Sequence, residues 1–402
     1  MEFSKEKIKA YALKNAIQHE GSPNQGSVIS ALFNEGLEKD KVKEVIPTVQ
    51  EVIGEVKNTS LEEQEKEFKN LKELISERQE QEGLPELPDP ENGIITRFAP
   101  SASGPLHVAH ALTACLAFDY VREYGGRFYF RVEDTNPENV YEPAYDLLKK
   151  EADWLFQEQA IFSVQSDNIE KYYQYIEELL KSGSAYVCTC DPDEFKKLLS
   201  NKKECPCRSI SPEENLDRWH KMQKEFKQGN AVLRFKSDLT HKNPAMRDFP
   251  LARINDTEHP RQGKKYRVWP LMNLAVTVDD IESGMTHIIR AKDHRDNAER
   301  QKLIYKALGL EEKIPHTYFL GRWHFTDLEM STSKFKQGIQ EGKYCGWDDP
   351  KLPTIESLKN QGYRPEAFWK LSEHFGLKES DKTIESKEFF RLLDQFSKEA
   401  KN

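Results

Sequence analysis

No apolar run in this sequence of 402 residues approaches the ~18–20 consecutive positions that a membrane-spanning helix needs, so no membrane partner is expected. The opening Met1-Glu2-Phe3-Ser4-Lys5-Glu6 carries acids and no apolar core, so no secretory signal is expected. Cysteine is scarce. Six thiols are too few for a secreted disulfide scaffold, and a reducing cytoplasm is the expected compartment. No G-x-G-x-x-G is present, which sets aside a dinucleotide site of that kind. Internal repeats and low-complexity tracts are also missing. Basic charge is in deficit, with 59 Lys+Arg against 68 Asp+Glu and a net charge of -9. The deficit is local: residues 1–92 hold 12 Lys+Arg and 20 Asp+Glu, a net of -8. Residues 191–242 hold 12 Lys+Arg and 9 Asp+Glu, a net of +3. A basic face can meet phosphates while the whole chain stays acidic, although a solvated loop-rich surface accounts for the same numbers.

Five segments are expected. Residues 1–92 read as a helical domain. Val42, Val45, Ile46, Val49, Val52, Ile53 and Val56 follow helical spacing, with Pro47 implying a kink or two shorter helices. Ser60 and Glu63 form a capping box for the next helix, which carries Leu61, Phe68, Leu71, Leu74 and Ile75. The Pro- and Gly-rich residues 83–93 end this region. Residues 93–187 begin an α/β alternation. A strand over 94–98 runs through a loop into a helix from His107 to Tyr124, which Gly125-Gly126 stops. A strand over 127–132 and a helix over 141–156 follow, and this order is the signature of a parallel sheet. Residues 188–285 break the rhythm as an insertion. Residues 286–344 resume it with strands near 286–291 and 318–320 around a helix over 294–307. Residues 345–402 read as loop and then helix.

Two places carry candidate chemistry. His107 and His110, at i and i+3, share one face of a helix N-terminus, where free N–H groups and the dipole already favour anions. Alone, such a pair is as readily an accident. Met330-Ser331-Thr332-Ser333-Lys334 is a polar loop after a strand, and alone it is as readily solvated surface. Four cysteines form two pairs, Cys188-Thr189-Cys190 and Cys205-Pro206-Cys207, separated by 14 residues. Four thiolates make a complete tetrahedral zinc set, the alternative being reduced thiols on a knuckle. Cys115 lies on an apolar helix face, and Cys345 stands alone.

The run Arg97-Phe98-Ala99-Pro100-Ser101-Ala102-Ser103-Gly104-Pro105-Leu106-His107-Val108-Ala109-His110 resembles the "HIGH" signature of class I glutamyl-tRNA synthetases of the archaeal type. Met330 to Lys334 stands where the "KMSKS" loop of that family belongs. Arg131 to Asn136, Asn243 to Asp248, Val278 to Asp280, Ile289 to His294 and Gly346 to Thr354 are similar to further family segments. Phe98-Ala99-Pro100 favours the glutamyl over the glutaminyl branch. The resemblance implies a Rossmann-type parallel sheet with a helical N-terminal domain, an inserted acceptor-binding domain and a helical tail.

It also implies an activity. Glutamate is activated by ATP with Mg2+ and passed to the 3′ end of tRNA, whose acceptor arm is the partner. His107, His110 and a loop lysine, here Lys334, would stabilise the charge that builds on phosphorus. Ala109, Ala291, Ser331, Thr332, Ser333 and Lys334 would line the ATP side. Arg97 is the first choice, and Arg290 the second, for the side-chain carboxylate of glutamate, since guanidinium pairs bidentately with carboxylate. Ala99 and Ser101 line the same pocket, and Glu133 takes the ammonium. The structural alternative for Arg97 and Glu133 is a mutual ion pair.

Departures from the family cluster on the ATP side. Ala109 and Ala291 replace glycines, Glu329 replaces a lysine, and Thr332 stands where a phosphate-clamping lysine is usual, though archaeal-type relatives can read Ser-Thr-Ser-Lys there. Losing such a clamp typically costs ~3–4 kcal/mol, and Lys334 or Lys336 is the expected substitute. About 50 residues follow Pro353, so anticodon reading is expected to need a separate polypeptide. Two rival readings are a paralog that glutamylates a modified tRNA base or another acceptor, and a catalytically degenerate tRNA- or partner-binding protein.

Overall fold

Local capping signals place the first helices. The structure, a computed structural model, describes residues 3–19, 21–38, 40–75 and 84–400. Met1–Gln81 and Glu82–Asn402 form two compact units. The first holds α1 (Lys5–Gln18), α2 (Gln25–Asn34), α3 (Val42–Lys57) and α4 (Leu61–Leu71). Ser60 Oγ accepts the Glu63 N–H while the Glu63 carboxylate accepts the Ser60 N–H at 2.9 Å, which completes the capping box. Val49, Val52, Ile53 and Val56 of α3 share a core with Ile8, Leu13 and Ala16 of α1. Pro47 does not divide α3. It removes one backbone bond, to the Lys43 carbonyl, and the helix is held on both sides of it, by partly buried Val42 and Val45 before and by Val49, Val52, Ile53 and Val56 after. Leu61 and Leu74 stay 43% exposed while Ile75 is buried.

The second unit includes the Pro-rich stretch from Leu84, whose Leu87 is buried in its main core. Strands β1 (Ile94–Phe98), β2 (Gly126–Val132) and β3 (Ile161–Val164) pair in parallel in that order. Helices α5 (Val108–Tyr124) and α6 (Ala144–Leu155) make the crossovers. Only glycine fits at position 126, because a Cβ there would lie 2.1 Å from the Ile94 carbonyl oxygen. After α7 (Ile169–Lys181) the insertion forms an antiparallel sheet of β4 (Ala185–Cys188), β5 (Val232–Phe235), β6 (Pro250–Ile254) and β7 (Val268–Pro270). Helices α8 (Pro192–Ser200) and α9 (Pro212–Lys224) lie between its first two strands in sequence.

Helix α10 (Met272–Ser283) leads back to the parallel layer. There β8 (His287–Ala291) pairs in parallel with β9 (His316–Leu320) across α11 (Arg295–Ala307). Thr286 joins β8 to β1: its N–H donates to the Ile95 carbonyl at 2.9 Å, and its Oγ1 accepts the Ile95 N–H at 2.9 Å. The layer therefore runs β3-β2-β1-β8-β9. The remainder is β10 (Trp323–Phe325), α12 (Thr332–Gln340), α13 (Ile355–Asn360), α14 (Pro365–Phe375), β11 (Lys382–Ile384) and α15 (Ser386–Glu399). The expected all-helical tail thus contains a strand, β11, paired in parallel with β10.

Candidate active site

Three neighbouring strands each bring one arginine to the same end of the sheet: Arg97 on β1, Arg131 on β2 and Arg290 on β8. All three are buried, and buried charge must be paired. The anions come from the end of α10. Asp280 receives Arg97 Nε at 2.7 Å and Nη2 at 3.0 Å, together with Arg131 Nη1 at 2.7 Å. Burial pushes the Asp280 carboxyl up, but Arg97 and Arg131 outweigh it and hold it below the usual range. Asp279 accepts Tyr172 OH at 2.8 Å and Gln165 Nε2 at 2.8 Å, and its carboxyl is pushed up by burial.

Arg97 and Glu133 therefore do not form the mutual ion pair that was the structural alternative. Asp280 takes Nε and Nη2 of the guanidinium fork, one on each carboxylate oxygen. Glu133 stands 3.7 Å from Arg131 Nη2. Burial pushes its carboxyl up, with Arg131, Arg97 and Arg290 pulling the other way.

Arg290 is different in kind. Its Nη1 donates to Gln301 Oε1 at 2.8 Å, its Nε is buried without a partner, and no carboxylate among the described residues pairs with it. Burial, then the neighbouring Arg97 charge, pulls its guanidinium down to about 10.

These side chains meet in a cleft of about 380 Å³. Arg97, Ala99, Ser101, Glu133, Arg290 and Ala291 line it together with His110, Met272, His294 and Thr332. The loop between β1 and α5 is pinned across the mouth. The Glu133 N–H donates to the Pro100 carbonyl at 2.8 Å, and the Ala102 N–H to the Glu133 carbonyl at 3.1 Å.

At the start of α5 the rings of His107 and His110 stack with centroids 3.7 Å apart. Both Nδ1 atoms are buried without a partner. Burial pulls His110 down to about 4, and burial with the neighbouring ring pulls His107 well below the ordinary imidazole value. In the free chain near neutrality the pair is uncharged, since no anion offsets burial, and it offers neutral N–H donors. His110 faces the cleft; His107 and Ala109 are not among its lining residues.

The segment Met330 to Lys334 is not a loop throughout. Ser331 caps α12, its Oγ accepting the Lys334 N–H at 3.4 Å, so Thr332, Ser333 and Lys334 form the first helical turn. Thr332 reaches the cleft and packs on Gly104, where a Cβ would lie 2.6 Å from Thr332 Cγ2. Ser331, Ser333 and Lys334 are not among the cleft's lining residues; Ser333 lines an adjoining cleft with Lys336. Lys334 Nζ pairs with Glu329 at 2.5 Å and is 67% exposed.

The four insertion cysteines converge. Their Sγ atoms all lie within 4.8 Å of one another, with Cys188–Cys205 at 3.9 Å and Cys190–Cys207 at 3.7 Å. A tetrahedral zinc with Zn–S bonds of about 2.3 Å has sulfur edges of about 3.8 Å, so the set fits that ion.

Several site residues were missed by sequence reasoning: Asp280, which locks Arg97; Gln301, which orients Arg290; and Met272 and His294 on the cleft wall. The family-like segments Val278 to Asp280 and Ile289 to His294 were the available signal for Asp280 and His294. Gln301 and Met272 carry none.

Residues 93–395 match the family described as tRNA synthetases class I (E and Q), catalytic domain. A glutamate–tRNA ligase of Methanobrevibacter smithii is 41% identical over 389 residues, covering 96% of this chain and 70% of that protein. One from Thermococcus onnurineus is 45% identical over 391 residues, covering 94% and 68%. Among solved structures, a glutamate tRNA ligase from Elizabethkingia meningosepticum, in complex with its amino acid, shares the fold. It does so with a TM-score of 0.52 at 21% identity, over 76% of this chain and 64% of that one.

Proposed function

This chain belongs to the class I tRNA synthetases (E and Q), and from that premise we propose that it ligates glutamate to tRNA. In the first step the α-carboxylate of glutamate attacks the α-phosphorus of ATP and pyrophosphate leaves. In the second, the terminal ribose hydroxyl of the tRNA acceptor arm attacks the carbonyl of the adenylate and AMP leaves. The observation that carries the reading is Arg290, a buried cation with no carboxylate paired to it among the described residues, facing a cleft at the sheet end. A second carboxylate on the substrate supplies that missing anion, which selects glutamate over amino acids with neutral side chains.

Arg290 takes the side-chain carboxylate in this reading. Arg97, committed to Asp280 through Nε and Nη2, adds its remaining Nη1. Glu133 takes the ammonium, and Ala99 and Ser101 shape the wall. His110, with His107 stacked behind it, donates a neutral N–H toward the phosphates. Ala291 and the start of α12 at Thr332 border the nucleotide. Ala109 supports the helix turn beneath it, and Ser331 and Ser333 complete the cap. Lys334 joins them only by leaving Glu329.

Carboxylates are missing from the phosphate side of the cleft lining. Mg2+ therefore enters as part of the ATP substrate, held by phosphates and water. Cys188, Cys190, Cys205 and Cys207 would hold a structural zinc that ties the insertion together. The compartment we propose is the cytoplasm. No described helix is long and apolar enough to cross a membrane, and all six cysteines are free thiols.

The test is glutamate-dependent pyrophosphate exchange, with and without tRNA, followed by charging of tRNA. Exchange and charging specific to glutamate support the reading. A pure, folded chain that does neither, under conditions where a relative does both, refutes it.

A further inference from the structure

We infer that Glu151 is a positioning residue for the histidine pair, acting through the Leu106 N–H. The inference rests on the proposed reaction, because the histidines are its phosphate-side donors.

The segment that enters α5 is held from two directions. On one side it bridges to the chain ahead of α13: the Ile355 N–H donates to the Leu106 carbonyl at 3.0 Å, and the Val108 N–H to the Pro353 carbonyl at 3.0 Å. On the other side stands Glu151, midway along α6, whose Oε2 accepts the Leu106 N–H at 2.8 Å. His107 lies between these anchors, and His110 stacks on its ring one turn later. The place of His110 in the cleft, with His107 stacked behind it, is thus set by backbone that Glu151 holds.

Apart from Leu106, the backbone group that acts on Glu151 is the Glu356 N–H in the first turn of α13. Glu151 is 5% exposed, it makes no ion pair among the described residues, and its Oε1 is buried without a partner. Lys150 and Lys359 line the same small cavity of about 80 Å³ yet leave the carboxyl unpaired. Burial pushes the carboxyl well above the usual range. The Leu106 and Glu356 N–H groups pull it down, and the Glu356 charge adds to the rise. An uncharged carboxyl offers Leu106 a carbonyl-type acceptor, and a glutamine offers the same one.

Three variants test this. Glu151→Gln is expected to match the parent in exchange turnover and in KM for glutamate. Glu151→Ala leaves a buried donor without an acceptor, and turnover is expected to fall roughly tenfold or more. Its KM for glutamate is expected to stay within about twofold of the parent, because Arg97, Arg290 and Glu133 stand on other elements. Glu151→Met keeps the volume without the acceptor and replaces the Ala variant if that one does not fold.

A second readout needs no activity. In protein labelled at histidine, the His107 resonances (assigned through His107→Gln) are expected to move in the Ala or Met variant and to stay in the Gln variant. The inference is overturned if Gln is as impaired as Ala, since charge would then be required. It is also overturned if turnover falls only in step with glutamate affinity, or if the resonances do not move. A parent without exchange activity would refute the proposed reaction and leave the resonance comparison to decide the positioning.

Discussion

Replacing Arg290 by methionine separates two jobs that buried arginines do at this sheet end. In the free chain Arg290 is a cost. A guanidinium pulled well below its ordinary value, to about 10, by burial and by Arg97 penalises the fold by roughly 3 kcal/mol, at ~1.4 kcal/mol per tenfold. The bond to Gln301, worth ~1 kcal/mol, and the charges of Asp280 and Glu133 offset part of that cost. Arg290→Met is therefore expected to leave stability unchanged or raise it by up to ~2 kcal/mol. Arg97→Met is expected to do the opposite. It strips Asp280 of a bidentate partner and leaves a buried carboxylate half-compensated, a loss of ~3–5 kcal/mol.

Binding then reads out the site. Two charge-assisted hydrogen bonds to the glutamate side chain are worth ~3–4 kcal/mol together, so Arg290→Met is expected to weaken glutamate roughly 100- to 1000-fold. ATP affinity is expected to hold. Urea unfolding gives the stability arm, and calorimetry with glutamate gives the binding arm. A loss of stability above ~2 kcal/mol in Arg290→Met would show that an anion already pairs with Arg290 in the free chain. Glutamate affinity within about threefold of the parent would show that Arg97 Nη1 alone anchors the side chain. Either outcome sinks the reasoning.

Three further outcomes are expected. Protein never exposed to chelator should contain close to one zinc per chain by elemental analysis, and Cys207→Ser should lower that content; metal-free protein would contradict the tetrahedral reading of the sulfur positions. Between pH 7 and 5 the unfolded chain takes up a proton at His110 that the folded chain refuses, so stability falls with pH by ~2 kcal/mol from this group. Asp119, which burial pushes up to about 7, runs the other way, so the measurement is the difference in pH slope between parent and His110→Asn, and equal slopes would contradict it. Thr332→Lys should raise exchange turnover roughly tenfold or more, since it restores a cation at the cleft-facing start of α12, while Lys334→Ala in the parent should lower it; no response to either change would remove the phosphate-side cation from the explanation.

Elements with local signals were legible in the sequence. The Ser60–Glu63 box, the Gly125-Gly126 stop and the apolar strands β1, β2 and β8 each declare themselves within a few residues. Strands of three residues do not: β10 and β11 carry no period, and they find each other in parallel across the whole of α12 to α14. The same distinction runs through the site. Residue types were legible, because a carboxylate substrate calls for arginine and phosphate for a helix start. Partner choice was not. Glu133 was the alternative partner for Arg97, yet the pair forms with Asp280, 183 residues away from Arg97.

That single choice reorders the site. With Asp280 on Arg97, the guanidinium left without a paired carboxylate among the described residues is Arg290, the second candidate by sequence and the first by electrostatics. Charge state follows the same logic. Two histidines one turn apart share a helix face when read along the chain, and only their burial, which pulls both imidazoles down, favours the neutral form. On the ATP side, Thr332 in place of lysine looks like a lost clamp, but Thr332 also fills the space over Gly104 that a longer side chain must leave to reach solvent or phosphate. The residue that brings the start of α12 onto the loop is therefore the same one that withholds its charge. A lysine at 332 is expected to trade part of that contact for a phosphate bond made only when ATP is present, which is why its gain belongs in turnover and not in the stability of the free chain.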